Sequence, residues 1–128
     1  MNGNGTSGSE MGEGQLARVR NGVDWLPPAD IAETPSGFEV TLEICGVSRG
    51  AIEVHAEESR VTVSGERPGA VEGEVCHYRE RRVGSFRRSF AFRAPIDSDG
   101  IRAALTDGVL SLTIPKRTPT RVSVEGGQ

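Results

Sequence analysis

The chain has 128 residues with a net charge of −3, enough for one domain with a modest core and flanking tails. That mild acidity excludes a global electrostatic case for binding nucleic acid or an acidic membrane. There is no apolar run of roughly 18 residues and no basic-then-apolar leader pattern, so neither a membrane span nor a signal peptide is expected, and a cytoplasmic protein is. Cys45 and Cys76 are too few to staple a secreted scaffold and belong to no ligand-spaced cluster, so free thiols are expected.

Residues 1–24 open with MNGNGTSGSEMGEG, rich in glycine and nearly devoid of residues that could be buried, so they read as a disordered arm with a weak helical turn over 15–20. The domain begins at Trp25-Leu26. Phe38, Val40, Leu42 and Ile44 then alternate with polar residues, the period-two pattern of a half-buried strand bracketed by Ser36-Gly37 and Cys45-Gly46. Ile52, Val54 and Ala56 form a second strand, and Val61 and Val63 a third that is expected to stop at Gly65. A further strand spans 86–92, and Leu110, Leu112 and Ile114 form one that stops at Pro115. Short strands at roughly ten-residue spacing, with Gly and Pro between them, predict an all-β sandwich over 25–116. The segment 66–84 is longer than most compact connections, which marks a functional loop or an element that packs on something other than its own sheet.

The search for catalytic and cofactor motifs is negative: no phosphate loop, nucleophile elbow, zinc helix or dinucleotide turn is present. Cys76-His77 could place a thiolate beside a base, but nothing locates a third orienting group, and neighbours on a strand point to opposite faces. His55 is out of phase with Ile52 and Val54 and should face solvent. The arginines 79, 81, 82, 87 and 88 are interrupted by Glu80, which suits a solvated or interface charge network better than a nucleic-acid site. Arg88 differs, because it shares a face with Phe86, Phe90 and Phe92. A guanidinium there needs a carboxylate or carbonyl partner, and a subunit interface is one place to find it. In the extension 117–128, Val122 and Val124 put two β-branched residues on one side of an extended chain, as in a tethered peptide that docks on another subunit.

Taken together, WLPPADIAET, GFEVTLEICGV, VTVSGER, YRERRVGSFRRSFAFRAPID, AALTDGVL and LSLTIPK resemble, in order, the small heat-shock proteins and their α-crystallin domain. AALTDGVL looks like the family's A-x-x-x-n-G-v-L signature, with Asp107 where Asn is usual; both residues suit a turn. The resemblance implies an immunoglobulin-like β-sandwich of seven or eight strands, no active site and no cofactor. It implies a homodimer made by strand exchange, in which a strand near 75–79, carrying Val75 and Tyr78, pairs with a partner's edge near 29–34, carrying Ile31. Arg88 would pair across that dimer. Val122 and Val124 would occupy a neighbour's groove lined by Ile52, Val54, Ile101 and Leu105, building a higher oligomer. The function implied is an ATP-independent holdase chaperone for unfolding client proteins. A monomeric CS-domain co-chaperone shares the sandwich but lacks the exchange loop and tail motif, and a thiol enzyme using Cys76 and His77 is the reading from another class.

Overall fold

The alternation at Phe38, Val40 and Leu42 dictates the centre of the fold, because a strand with one apolar face must lay it against another such face. In the computed structural model, which describes residues 23–69, 71–118 and 122–126, these residues lie on β2 (Gly37–Glu43). Their cross-strand partners on β7 (Val109–Pro115) are Ile114, Leu112 and Leu110, and all six side chains are buried. β1 (Ala29–Thr34) and β6 (Arg102–Thr106) complete a four-stranded antiparallel sheet in the order β1-β2-β7-β6. The second sheet runs β3 (Glu53–Glu57), β4 (Arg60–Arg67), β5 (Gly84–Ala91). Val61 and Val63 of β4 and Phe86 and Phe90 of β5 face the first sheet, and the Phe38 and Phe92 rings meet between the layers with centroids 4.5 Å apart. The all-β sandwich expected from periodicity is the observed architecture. The arm and helical turn expected over 1–24 fall almost wholly outside the described residues.

The hairpin between β6 and β7 shows how sequence sets geometry. Asp107 and Gly108 both take positive φ, 55° and 79°, the requirement at both central positions of a two-residue hairpin turn whose twist matches the strands. Glycine at the second position is also a matter of space, since a Cβ there would lie 2.8 Å from the Cα of Cys45. This turn fixes the register Leu105↔Leu110 and Ala103↔Leu112, and so points Leu110, Leu112 and Ile114 into the core.

One strand boundary differs from expectation. β4 does not stop at Gly65 but continues through it to Arg67. Gly65 is paired with Phe86, and a Cβ at that position would come within 2.9 Å of the Phe86 ring and of the Ala51 carbonyl oxygen. The glycine therefore makes room for a core aromatic and does not punctuate the strand.

Candidate assembly and client-binding surfaces

Trp25 joins the two sheets just before β1. Its indole Nε1 donates to the Gly84 carbonyl at 2.9 Å, its ring meets Phe86 edge-on at 5.3 Å, and its backbone bridges Phe86 in parallel sense. The start of β1 is thereby tied to the start of β5. Two arginines reinforce the same corner. Arg88, half-buried and on the apolar face of β5, donates from Nη1 to the Pro27 carbonyl at 2.7 Å and lies 5.3 Å from the Phe90 ring centroid. The carbonyl partner that its position demanded thus exists within its own chain.

Arg67 was not singled out from sequence, yet it is the buried charged residue of the described chain, 8% exposed. Its Nε donates to the Cys45 carbonyl at 2.8 Å and its Nη1 to the Arg82 carbonyl at 2.6 Å, while the guanidinium carbon sits 3.9 Å from the centre of the Trp25 ring. One side chain therefore fastens the end of β2, the entry to β1 and the base of the long 68–83 segment. The signal was parity: residues 61, 63, 65 and 67 lie on one face of an extended strand, so an arginine following two core valines in phase points inward.

From that fastened base the 68–83 segment continues without a strand among its described residues. Val75 is 78% exposed and Tyr78 80%. Tyr78 donates its hydroxyl to the Glu80 carboxylate at 2.5 Å, and this bond raises the phenol above its ordinary range by holding the proton. Arg79 donates to the Gly69 carbonyl at 2.9 Å, which curls the segment on itself. The Cys76 thiol faces the Tyr78 carbonyl, 3.6 Å away. Both cysteines are free and exposed, and no group of three His, Cys, Asp or Glu suited to a metal occurs among the described residues. His55 is exposed beside Glu53, as its phase indicated.

β1 is an edge strand. It pairs with β2 on one side, has four exposed residues in its middle, and leaves Ile31 50% exposed. At the other flank of the sandwich, β3 and β6 are the outer strands of their respective sheets. Ile52 and Val54 beside or on β3, and Ile101 and Leu105 beside or on β6, pack against the core but stay half-buried. Val122 and Val124 are 77% and 93% exposed. The residues singled out from sequence thus fall on the β1 edge, in the exposed 68–83 segment, on the half-buried outer strands β3 and β6 or beside them, and in the exposed Val-x-Val tail. No helix among the described residues is long and apolar enough to cross a membrane.

A two-layer antiparallel sandwich with an open edge strand, a long exposed connection between β4 and β5 and a half-buried flank defines an α-crystallin-type domain. The match to the Hsp20/alpha crystallin family covers residues 30–125, and the chain belongs to that family. It is 35% identical over 94 residues to the small heat shock protein C2 of Rickettsia felis, an alignment covering 72% of this chain and 61% of that one. Among solved structures, a small heat-shock protein from Xylella fastidiosa superposes with a TM-score of 0.68 at 37% identity, covering 81% of this chain and all of that one. The hspA of Xanthomonas axonopodis gives 0.65 at 39% identity, covering 73% and 95%. The chain spans about three fifths of the length of the curated relatives it matches.

Proposed function

We propose that the protein is an ATP-independent holdase chaperone that binds unfolding proteins and keeps them from aggregating. The observation that carries this reading is the number of unpaired binding elements on one small sandwich. An open β1 edge, exposed Val75 and Tyr78, exposed Val122 and Val124, and a half-buried flank at Ile52, Val54, Ile101 and Leu105 occur together. Exposed and half-buried apolar side chains gathered at an edge, a connection, a flank and a tail suit a protein whose partners cover them. In this reading the 75–79 segment adds a strand to the β1 edge of a second copy, which satisfies the backbone groups that an edge leaves open. Arg88 holds the Pro27 end of β1 in place for that pairing and contributes to the dimer. Val122 and Val124 then seat in the β3–β6 flank of a neighbour and build a larger assembly; the Xylella fastidiosa relative is described as having a distinct high order structure.

The mechanism is competition by mass action. Warming or dilution frees edges and flanks, and these bind the exposed apolar segments of a client in place of another client molecule. No nucleotide, metal or catalytic group is required, and membership in a family of chaperones supports that reading over a thiol enzyme. The exposed 68–83 segment and the Val-x-Val tail likewise favour a self-assembling chaperone over a monomeric co-chaperone, and the cytoplasm is the compartment such a protein would serve. The test is light scattering from a heat-labile client, without nucleotide, at increasing ratios of the protein. Suppression at near-stoichiometric ratio is expected; undiminished scattering at severalfold excess contradicts the assignment.

A further inference from the structure

The corner fastened by Arg67 also holds a cavity of about 250 Å³. Trp25 and Pro28 line its apolar side, and Glu43, Cys45, Arg67 and Arg82 its polar side. That is small for a drug-sized ligand and suits a compact charged group. Ile44 is buried and its amide donates to the Gly108 carbonyl at 2.8 Å, while the Cys45 carbonyl accepts from Arg67 Nε, so the exposed Cys45 is held from both sides. The nitrogen of Arg67 that its two carbonyl bonds leave over, Nη2, contacts the Cys45 Sγ at 3.9 Å. A further guanidinium stands close by: Arg81 Nη2 lies 3.7 Å from where a Cβ on Gly46 would be.

Arg67 is a buried cation whose partners are all neutral: two carbonyls, an indole face and a thiol. Among the described residues no carboxylate forms an ion pair with it. A cation taken out of water without an opposite charge is costly, and an anion at its open nitrogen offsets that cost. The sulfur beside it is a second, chemical feature, since exposed thiols in electropositive surroundings are the reactive ones. Cys76 offers the contrast within one chain. It too is exposed, but its thiol donates towards the Tyr78 carbonyl, 3.6 Å away, and Glu74 and Glu80 lie near it in sequence. We propose that Cys45 is a modification site for small acidic disulfides, with the carboxylates of the captured half seated on Arg67, Arg81 and Arg82. The Cys45 sulfur bonds to one sulfur of the disulfide and the original S–S bond breaks. The other half leaves as a thiol carrying the proton that Cys45 gives up, so the disulfide itself is the oxidant and nothing else is consumed. Glu43 is the carboxylate on the cavity wall, and it does not balance the arginines around it. This inference does not rest on the chaperone reading, and its failure would leave that reading untouched.

The test treats the reduced full-length protein with oxidised glutathione, whose halves each carry net negative charge, and in parallel with cystamine, a dication. Peptide mass spectrometry follows the adduct at each thiol, and each rate is divided by that thiol's rate with neutral iodoacetamide, which removes differences in access. On this scale Cys45 is expected to take up the glutathionyl group about tenfold faster than Cys76, at the low end of electrostatic steering. The lead should vanish with cystamine and shrink at high ionic strength. Equal normalised rates at the two thiols with oxidised glutathione overturn the proposal, and so does a Cys45 lead that persists with cystamine. Arg81→Gln combined with Arg82→Gln keeps the backbone carbonyl that Arg67 holds and should lower the normalised glutathionyl rate of Cys45 about tenfold. An unchanged rate in that variant refutes the seating on the arginines.

Discussion

Replacing Arg67 by alanine should be among the most damaging single changes to this sandwich, although no sequence motif marks the residue. The substitution leaves the Cys45 and Arg82 carbonyls without their charged donor, and hydrogen bonds from charged groups contribute roughly 1.5–3 kcal/mol each. It also removes the guanidinium from the Trp25 face, worth about 0.5–2 kcal/mol. Water entering the vacated space solvates part of the two carbonyls, so a net loss of about 3 kcal/mol is expected, a large share of the roughly 5–15 kcal/mol that holds a domain together. Trp25, the chain's one tryptophan, lies under the substituted group and reports on it directly. Urea unfolding followed by Trp25 fluorescence, at several protein concentrations to separate dissociation from unfolding, should show a lower midpoint with an unchanged slope. Arg67→Lys should recover only part of the loss, because an ammonium cannot present the planar fork that reaches two carbonyls and stacks on an indole. A shift below about 0.5 kcal/mol for Arg67→Ala, the range of ordinary surface changes, would refute the account of this corner.

Arg88→Ala removes the bond to the Pro27 carbonyl that steadies the entry to β1, and about tenfold weaker dimerisation is expected by sedimentation at graded concentrations; an unaltered dissociation curve would separate Arg88 from the dimer. Gly65→Ala drives a methyl group into the Phe86 ring and the Ala51 carbonyl and should cost about 1–3 kcal/mol in the same unfolding assay. Glu80→Gln takes away the carboxylate that holds the Tyr78 proton, so the phenol, the only one in the chain, should titrate at lower pH by ultraviolet difference absorbance. The sign follows from the neutral form: the Tyr78–Glu80 bond is intact below the ordinary phenol range and is lost as pH rises through the raised value. Val122→Ile with Val124→Ile adds one methylene at each tail anchor, about 0.8 kcal/mol apiece and roughly 15-fold together in docking, so light scattering should report a larger mean mass at fixed concentration. An unchanged mass would detach the tail from assembly.

The core of this fold was legible because β2 and β7 carry it in strict alternation, and Phe38, Val40, Leu42, Leu110, Leu112 and Ile114 are all buried as their phase required. Val47 and Ile96 are equally buried, yet each stands alone in an irregular stretch where no period identifies it. Ile96 is drawn in by backbone bonding, its amide to the Glu58 carbonyl and its bridge to Lys116, and such long-range pairing leaves no local mark. Gly65 misled for the complementary reason: a glycine in a strand has two meanings, a break or a space for a neighbour, and only the cross-strand partner Phe86 decides between them. Arg88 and Arg67 show the same limit for charge. Both are in phase with apolar residues, and parity alone gives the direction of the side chain; which carbonyl receives it depends on how Pro27, Cys45 and Arg82 come together in space.

The energetics of the tail explain why assembly in this reading is reversible. Fully burying a valine contributes roughly 1.5–3 kcal/mol, so Val122 and Val124 together offer about 3–6 kcal/mol on entering a neighbour's flank. Fixing the backbone of the three residues 122–124 costs about 1–2 kcal/mol each, which offsets most of that gain. A single tail therefore holds no more tightly than the millimolar range, near 4 kcal/mol. The proposed strand exchange at β1 would change the arithmetic, since a dimer would carry two tails and two flanks, and the second contact would form at the high effective concentration set by the first. The assembly is then stable through multiplicity while each contact opens readily, and an opened flank at Ile52, Val54, Ile101 and Leu105 is the apolar surface that an unfolding client would meet.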